Sequence, residues 1–266
     1  MERRGAVLFD AAGTLIELRE PVGETYARVA REHGVDLSPK LDLPPNLDLP
    51  PNLDLSATLD LSPKKLEAAF ASAFKAAPAM VFPDASIGEI SRLEKAWWRR
   101  VVSSTFQAAA PAARFPNFDE FFENLFDVMG QPQTWREVAG ARSLLLKLRS
   151  LRWATAIVSN FDRRLPNILH GLGLAELFDA VVLCSDVGAA KPETAIFHRA
   201  LERLQVPASR AVVVGDDEEL DIGGARAAGL RAVDVKSLAK LDGLLDQLVA
   251  LPDHPGERRG GSNHGE

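Results

Sequence analysis

"VLFDAAGTLI", residues 7 to 16, decides how this chain folds. Three apolar residues run straight into Asp10, two alanines follow (Ala11 and Ala12), and Gly13 with Thr14 breaks the run. That is how a buried strand hands a carboxylate to a loop at the edge of a sheet. Four later runs are built alike: "ATAIVSN" (154–160), "AVVLCSD" (180–186), "AVVVGDD" (211–217) and "RAVDV" (231–235). Between them lie "RRLPNILHGLGL", "PETAIFHRALERL" and "ELDIGGARAAGL", which carry helical periodicity. Strand alternating with helix at this pitch predicts an α/β fold, a doubly wound parallel sheet of Rossmann-like type. Right-handed crossovers place the C-terminal strand ends on one edge, where ligands bind. The polar residues that end the runs are then expected around one crevice: Asp10, Ser159, Lys191 in "GAAKPE", and Asp216, Asp217 and Asp221 in "GDDEELD".

The first and second runs are separated by well over one hundred residues, too many for one crossover. The gap holds helical patterns such as "VGETYARVAREHG", "SRLEKAWWRRVVSSTF" and "FDEFFENLFDVMG", and reads as an inserted α-helical cap. "AGARSLLLKLRSLRW" then returns the chain to the sheet. The division expected is a core of 1–18 and 136–250, a cap of 19–135, and a disordered tail of 251–266. Trp97 and Trp98 are expected to pack within the cap, with the lining of a pocket as the alternative. Residues 35–64 repeat with period six, "VDLSPK", "LDLPPN" twice, "LDLSAT" and "LDLSPK". Paired prolines forbid helix and central strand there, so 41–64 is expected to be a flexible, solvated insert with no packed core.

The 266 residues are 46% hydrophobic and 26% charged, with a formal net charge of −6. Nothing in that balance offers the basic face a nucleic acid needs. No run of about 18 apolar residues predicts a membrane span and no signal peptide is evident, so a cytoplasmic protein is expected. Cys184, the single cysteine, sits in an apolar run and reads as a small buried side chain. The five histidines lack zinc-type spacing.

Taken in order, "FDAAGTL", "IVSNFD", "GAAKPETAIF" and "VVVGDDEELDIGGARAAG" resemble the four motifs of the haloacid dehalogenase-like hydrolases. The resemblance covers residues 5–18 and roughly 136–236, and the inserted cap matches the family's layout. It implies that Asp10 is a nucleophile forming an aspartyl-phosphate. It further implies a Mg²⁺ ion held by Asp10, Asp216, Asp221 and the Ala12 backbone carbonyl. Asp217 is open between a metal ligand and an exposed turn residue. Lys191 and Ser159 would act on the phosphoryl oxygens, with Thr14 and Asn160 also at the phosphate. The substrate expected is a small phosphorylated molecule, handled by a monomer or weak homodimer.

One position departs from the family's phosphatase pattern. Two residues after the nucleophile those enzymes carry an Asp that protonates the leaving group; here stands Ala12. The dehalogenase branch also lacks that Asp but has a Tyr there and no metal, which leaves the acidic trio without a use. Three functions stay open: a Mg²⁺-dependent phosphatase weakened for ordinary alkyl esters, an impaired family member that binds a phosphorylated ligand or a protein, and carbon-centred dehalogenation at Asp10.

Overall fold

The computed structural model describes residues 3–35 and 62–249. Most of the expected insert at 41–64 and the whole tail at 251–266 lie outside them. The last residues of that insert are a correction: Pro63 and Lys64 open the helix Pro63–Ala76. Proline is tolerated in the first turn because its missing N–H would have no helical partner there.

Five strands form a parallel sheet in the order β5-β4-β1-β6-β7. They are β1 (Gly5–Phe9), β4 (Trp153–Ser159), β5 (Ala180–Leu183), β6 (Ala211–Gly215) and β7 (Arg231–Asp234). The chain fills one half of the sheet outward from β1 and then crosses to the other half. This puts a topological switch point at the C-terminal end of β1, where such sheets open a crevice.

The alternation of the central strand explains its burial on both faces. Ala6 and Leu8 pack with Phe197, Ala200 and Leu204 of one flanking helix, Thr194–Leu204. Val7 and Phe9 pack with Leu144, Leu145 and Leu148 of another, Ala141–Ser150. Two apolar layers thus enclose the sheet, as expected for parallel strands. The run at 180–186 stops being strand at Leu183, and Cys184–Val187 coils into one helical turn, with Cys184 fully buried.

The chain leaves the sheet through β2 (Ile16–Leu18) and returns through β3 (Trp135–Glu137), and these two short strands pair antiparallel. Between them run α1 (Val22–Glu32), α2 (Pro63–Ala76), α3 (Ile87–Ala109) and α4 (Phe118–Gly130). Tyr26, Val29, Leu66, Val102, Phe106, Phe121 and Leu125 give these helices an apolar cluster of their own. Asn117 caps α4 by accepting from the N–H groups of Asp119 and Glu120.

The loop after β4 ties α3 and α4 to the sheet. Asp162 there accepts from the Trp98 indole at 2.6 Å and from the Arg164 guanidinium at 2.6 and 2.9 Å. Arg164 donates onward to the Phe126 carbonyl at 2.6 Å and lies over the Phe126 ring at 3.7 Å. Glu94 of α3 accepts from the Ser185 hydroxyl and from the Arg163 N–H. No helix among the described residues is long and apolar enough to cross a membrane.

Candidate active site

Asp10 follows the last residue of β1, and its N–H donates to the Val214 carbonyl of β6 at 2.9 Å. The loop then folds back, with the N–H groups of Leu15 and Ile16 both donating to the Ala11 carbonyl. Gly13 is required twice over. Its φ of +91° is left-handed, and a Cβ there would come within 2.9 Å of the Asp216 carboxylate oxygens. Gly215 is required for space alone, since a Cβ would approach Asp221 to 2.3 Å.

Three strands therefore deliver their terminal residues to one point. The Lys191 ammonium lies 2.5 Å from Asp10 Oδ1 and 2.6 Å from Asp221 Oδ1. Ser159, the last residue of β4, donates from Oγ to Asp10 Oδ1 at 3.3 Å and accepts from the Phe161 N–H at the same distance. Asp10, Asp216 and Asp221 present carboxylate oxygens within 4.8 Å of one another. Lys191 is held in place from behind: its N–H donates to Asn160 Oδ1 at 2.8 Å, and its carbonyl accepts from Asn160 Nδ2 at 3.0 Å.

The electrostatics follow from this crowding. Burial opposes a charged Lys191, yet Asp10 and Asp221 outweigh it and hold the ammonium above the usual lysine range. Burial raises the Asp221 carboxyl despite Lys191, and it raises Asp216 despite Lys236. Two ammonium groups, the buried Lys191 and the exposed Lys236 at 3.5 Å from Asp216, face three carboxylates, which leaves a net excess of negative charge. A donor set of closely spaced oxygens with that excess fits a hard divalent cation, for which this trio is an all-oxygen site.

Asp10, Ser159, Lys191, Asp216 and Asp221 meet here, while Thr14, Asn160 and Asp217 have surroundings of their own. Thr14 is fully buried, lies off the cavity wall, and its hydroxyl has no partner among the described residues. The Asn160 side chain lines the cavity and bonds the Lys191 main chain through both ends of its amide, which positions that residue. Asp217 lines the cavity outside the acidic trio, and its Oδ1 accepts from the N–H groups of Glu219 and Leu220, capping the π-helical turn Glu218–Gly223.

A cavity of about 880 Å³ extends from Asp10, Ala12 and Lys191 to the inserted helices. Its far walls include Phe70, Trp98, Phe122, Leu125 and Phe126. Trp98 thus faces the cavity, whereas Trp97 packs into a sheet-side apolar layer and donates to the Pro78 carbonyl at 2.8 Å. Sequence reasoning placed Asp162 in the second motif without a role and gave none to Arg164, Tyr26 or Lys236. The first two lay in plain sight in "SNFDRR", but their partner Trp98 is 64 residues away from Asp162.

The sequence model for haloacid dehalogenase-like hydrolases matches residues 5–229. Among curated proteins, haloacid dehalogenase-like hydrolase domain-containing protein 3 of Bos taurus is 35% identical over 242 residues, covering 88% of this chain and 82% of its own length. A phosphoserine phosphatase of Thermus thermophilus is 32% identical over 187 residues, covering 64% of this chain and 73% of that protein. Among solved structures, a phosphatase of Thermococcus onnurineus superposes with a TM-score of 0.56 at 22% identity, covering 92% of this chain and 97% of the other. At that identity the structural likeness speaks to the fold.

Proposed function

Since the chain belongs to the haloacid dehalogenase-like hydrolases, we propose that it is a Mg²⁺-dependent phosphatase working through an aspartyl-phosphate on Asp10. The observation that supports this reading best is the convergence of three carboxylates on the buried ammonium of Lys191. Asp10, Asp216, Asp221 and the Ala12 carbonyl would hold the cation. When bound, Mg²⁺ supplies charge that lets a phosphate dianion approach a carboxylate.

The chain's own residues then do the following. A carboxylate oxygen of Asp10 attacks phosphorus as the bond to the leaving oxygen breaks, and water later hydrolyses the acyl phosphate to regenerate Asp10. Lys191 and the Ser159 hydroxyl, both already at Asp10 Oδ1, turn to the phosphoryl oxygens and stabilise charge there. Asn160 keeps the lysine in register. Ala12 has no proton to offer, so the leaving oxygen departs as an anion. Esters of acidic alcohols are the substrates such a site handles, because general acid catalysis is typically worth about 10² to 10⁴-fold.

The same Ala12 favours a second reading, an impaired family member that binds a phosphorylated ligand without turning it over. Hydrolysis of acetyl phosphate and nitrophenyl phosphate, with and without Mg²⁺, separates the two. The phosphatase reading expects turnover with Mg²⁺ that disappears in Asp10→Asn. Turnover that survives this substitution would show that the nucleophile is elsewhere.

A further inference from the structure

Resting on the phosphatase reading of the site, we propose that its substrate is an aromatic phosphate monoester, with the phosphate over Asp10 and the aryl group against the inserted helices. Two observations from opposite ends of the cavity lead there independently. At about 880 Å³ the cavity is several times what a phosphate needs and falls in the range of sites that enclose a ligand of moderate size. Its far walls are apolar, with Phe70, Trp98, Phe122, Leu125, Phe126 and Met129 contributing from three helices.

Three of the charged groups on those walls are already engaged. Arg164 is held by Asp162 and the Phe126 carbonyl, Arg136 by Glu17 at 2.9 Å, and Glu67 accepts from the Gly23 N–H at 2.6 Å. Tyr26 stays neutral, since burial pushes its phenol well above the usual range, and Arg19 is exposed to solvent. A sugar or a second anionic group placed among these rings, away from Arg19, would lose water and gain little in return. An aromatic ring instead finds edges and faces of other rings, which attract it beyond simple area burial.

The near end of the cavity asks for the same chemistry. Ala12 lines it beside Asp10 and carries no acid, so the leaving group must depart without a proton. A phenolate does so far more readily than an alkoxide. Bond making and breaking are those given above: the Asp10 oxygen joins phosphorus, the aryl oxygen leaves with its electron pair, and solvent protonates it.

The test uses the full chain with Mg²⁺ and compares naphthyl phosphate, acetyl phosphate and glucose phosphate. Burying one ring should lower KM for naphthyl phosphate about ten-fold or more relative to acetyl phosphate. Phe122→Ala should raise KM for naphthyl phosphate by a larger factor than for acetyl phosphate. Binding to Asp10→Asn, measured by calorimetry, gives a readout without turnover: naphthyl phosphate should bind about ten-fold or more tighter than inorganic phosphate. Asp10-dependent turnover in which naphthyl phosphate shows no advantage, or in which glucose phosphate is preferred, overturns the aromatic assignment and leaves the phosphatase reading standing. Tighter binding of naphthyl phosphate with no turnover of any compound upholds the cavity assignment and overturns the phosphatase reading.

Discussion

The Lys191 ammonium lies 2.5 Å from Asp10, and both side chains are almost wholly withdrawn from solvent. With Asp221 on its other side, this lysine is the counter-charge that lets two buried carboxylates coexist. Removing one partner of a buried ion pair leaves the other uncompensated and costs about 3–5 kcal/mol. Lys191→Met should therefore destabilise the metal-free protein by about that much. Added Mg²⁺ should recover part of the loss, since the cation replaces the missing charge. Urea unfolding with and without Mg²⁺ measures both effects. A loss that Mg²⁺ leaves untouched would show that the acidic trio does not hold the ion.

Ala12→Asp restores a proton donor where the family's phosphatases are expected to carry one. Ala12 lines the cavity next to Asp10, so the new carboxyl reaches the leaving oxygen. Turnover of glycerol phosphate should rise by about ten-fold or more, while nitrophenyl phosphate, whose leaving group needs little protonation, should gain much less. Equal gains on both esters would mean that the substitution acts on binding instead of proton transfer.

The fold was legible because its strands announce themselves. Each apolar run ends in a small or acidic residue, and parallel strands buried on both faces read as unbroken apolar segments. The run at 180–186 ended early because the first turn of a buried helix and the end of a buried strand share the same composition. Asp10, Ser159, Lys191 and Asp221 were legible as a site through their topological positions. The contacts that Thr14 and Asn160 make were not, since whether a hydroxyl is paired or an amide binds a neighbouring main chain is decided by contacts far apart in sequence. The Asp162–Trp98 bond illustrates this: neither residue carries a local mark of the other.

That bond predicts a separable role for Asp162. The residue is 1% exposed and receives the donors of both Trp98 and Arg164, so it joins α3 and α4 to the loop after β4. Asp162→Ala leaves an indole N–H unpaired and strips the Arg164 guanidinium of its counter-ion, leaving it the Phe126 carbonyl and ring. Its cost should be about 3–5 kcal/mol if the helices stay docked, and less if they loosen. Hydrogen exchange distinguishes the two, because loosening speeds exchange across Ile87–Ala109 while β1 keeps its protection. Uniform acceleration in both segments would argue against a local tether.

Thr25 offers a test in the stabilising direction. Its hydroxyl is fully buried in α1 and has no hydrogen-bond partner among the described residues. Burying such a group without compensation costs about 1–3 kcal/mol in protein substitution series. Thr25→Val keeps the shape and deletes the unpaired hydroxyl, so the thermal midpoint should rise by a few degrees for about 1 kcal/mol gained. A fall would mean that the hydroxyl finds a partner outside the described residues.

Glu94 predicts how stability depends on pH. Burial raises its carboxyl above the ordinary glutamate range, against the opposing pull of the Ser185 hydroxyl and the Arg163 N–H. The folded state therefore keeps a proton on Glu94 at pH values where the unfolded chain has released it. With more protons bound when folded, stability is fully present below the ordinary glutamate value and falls as pH climbs through the raised one. Glu94→Gln removes this slope. The amide also loses one acceptor facing the Arg163 N–H, which adds a cost independent of pH. Asp216 and Asp221, shifted in the same direction, are present in both proteins and cancel in the comparison. Urea midpoints of the metal-free proteins between about pH 4 and 7 should thus converge as pH rises, with the wild type losing the more. Parallel profiles would mean that the two hydrogen bonds fully offset burial and that Glu94 enters the fold already ionised.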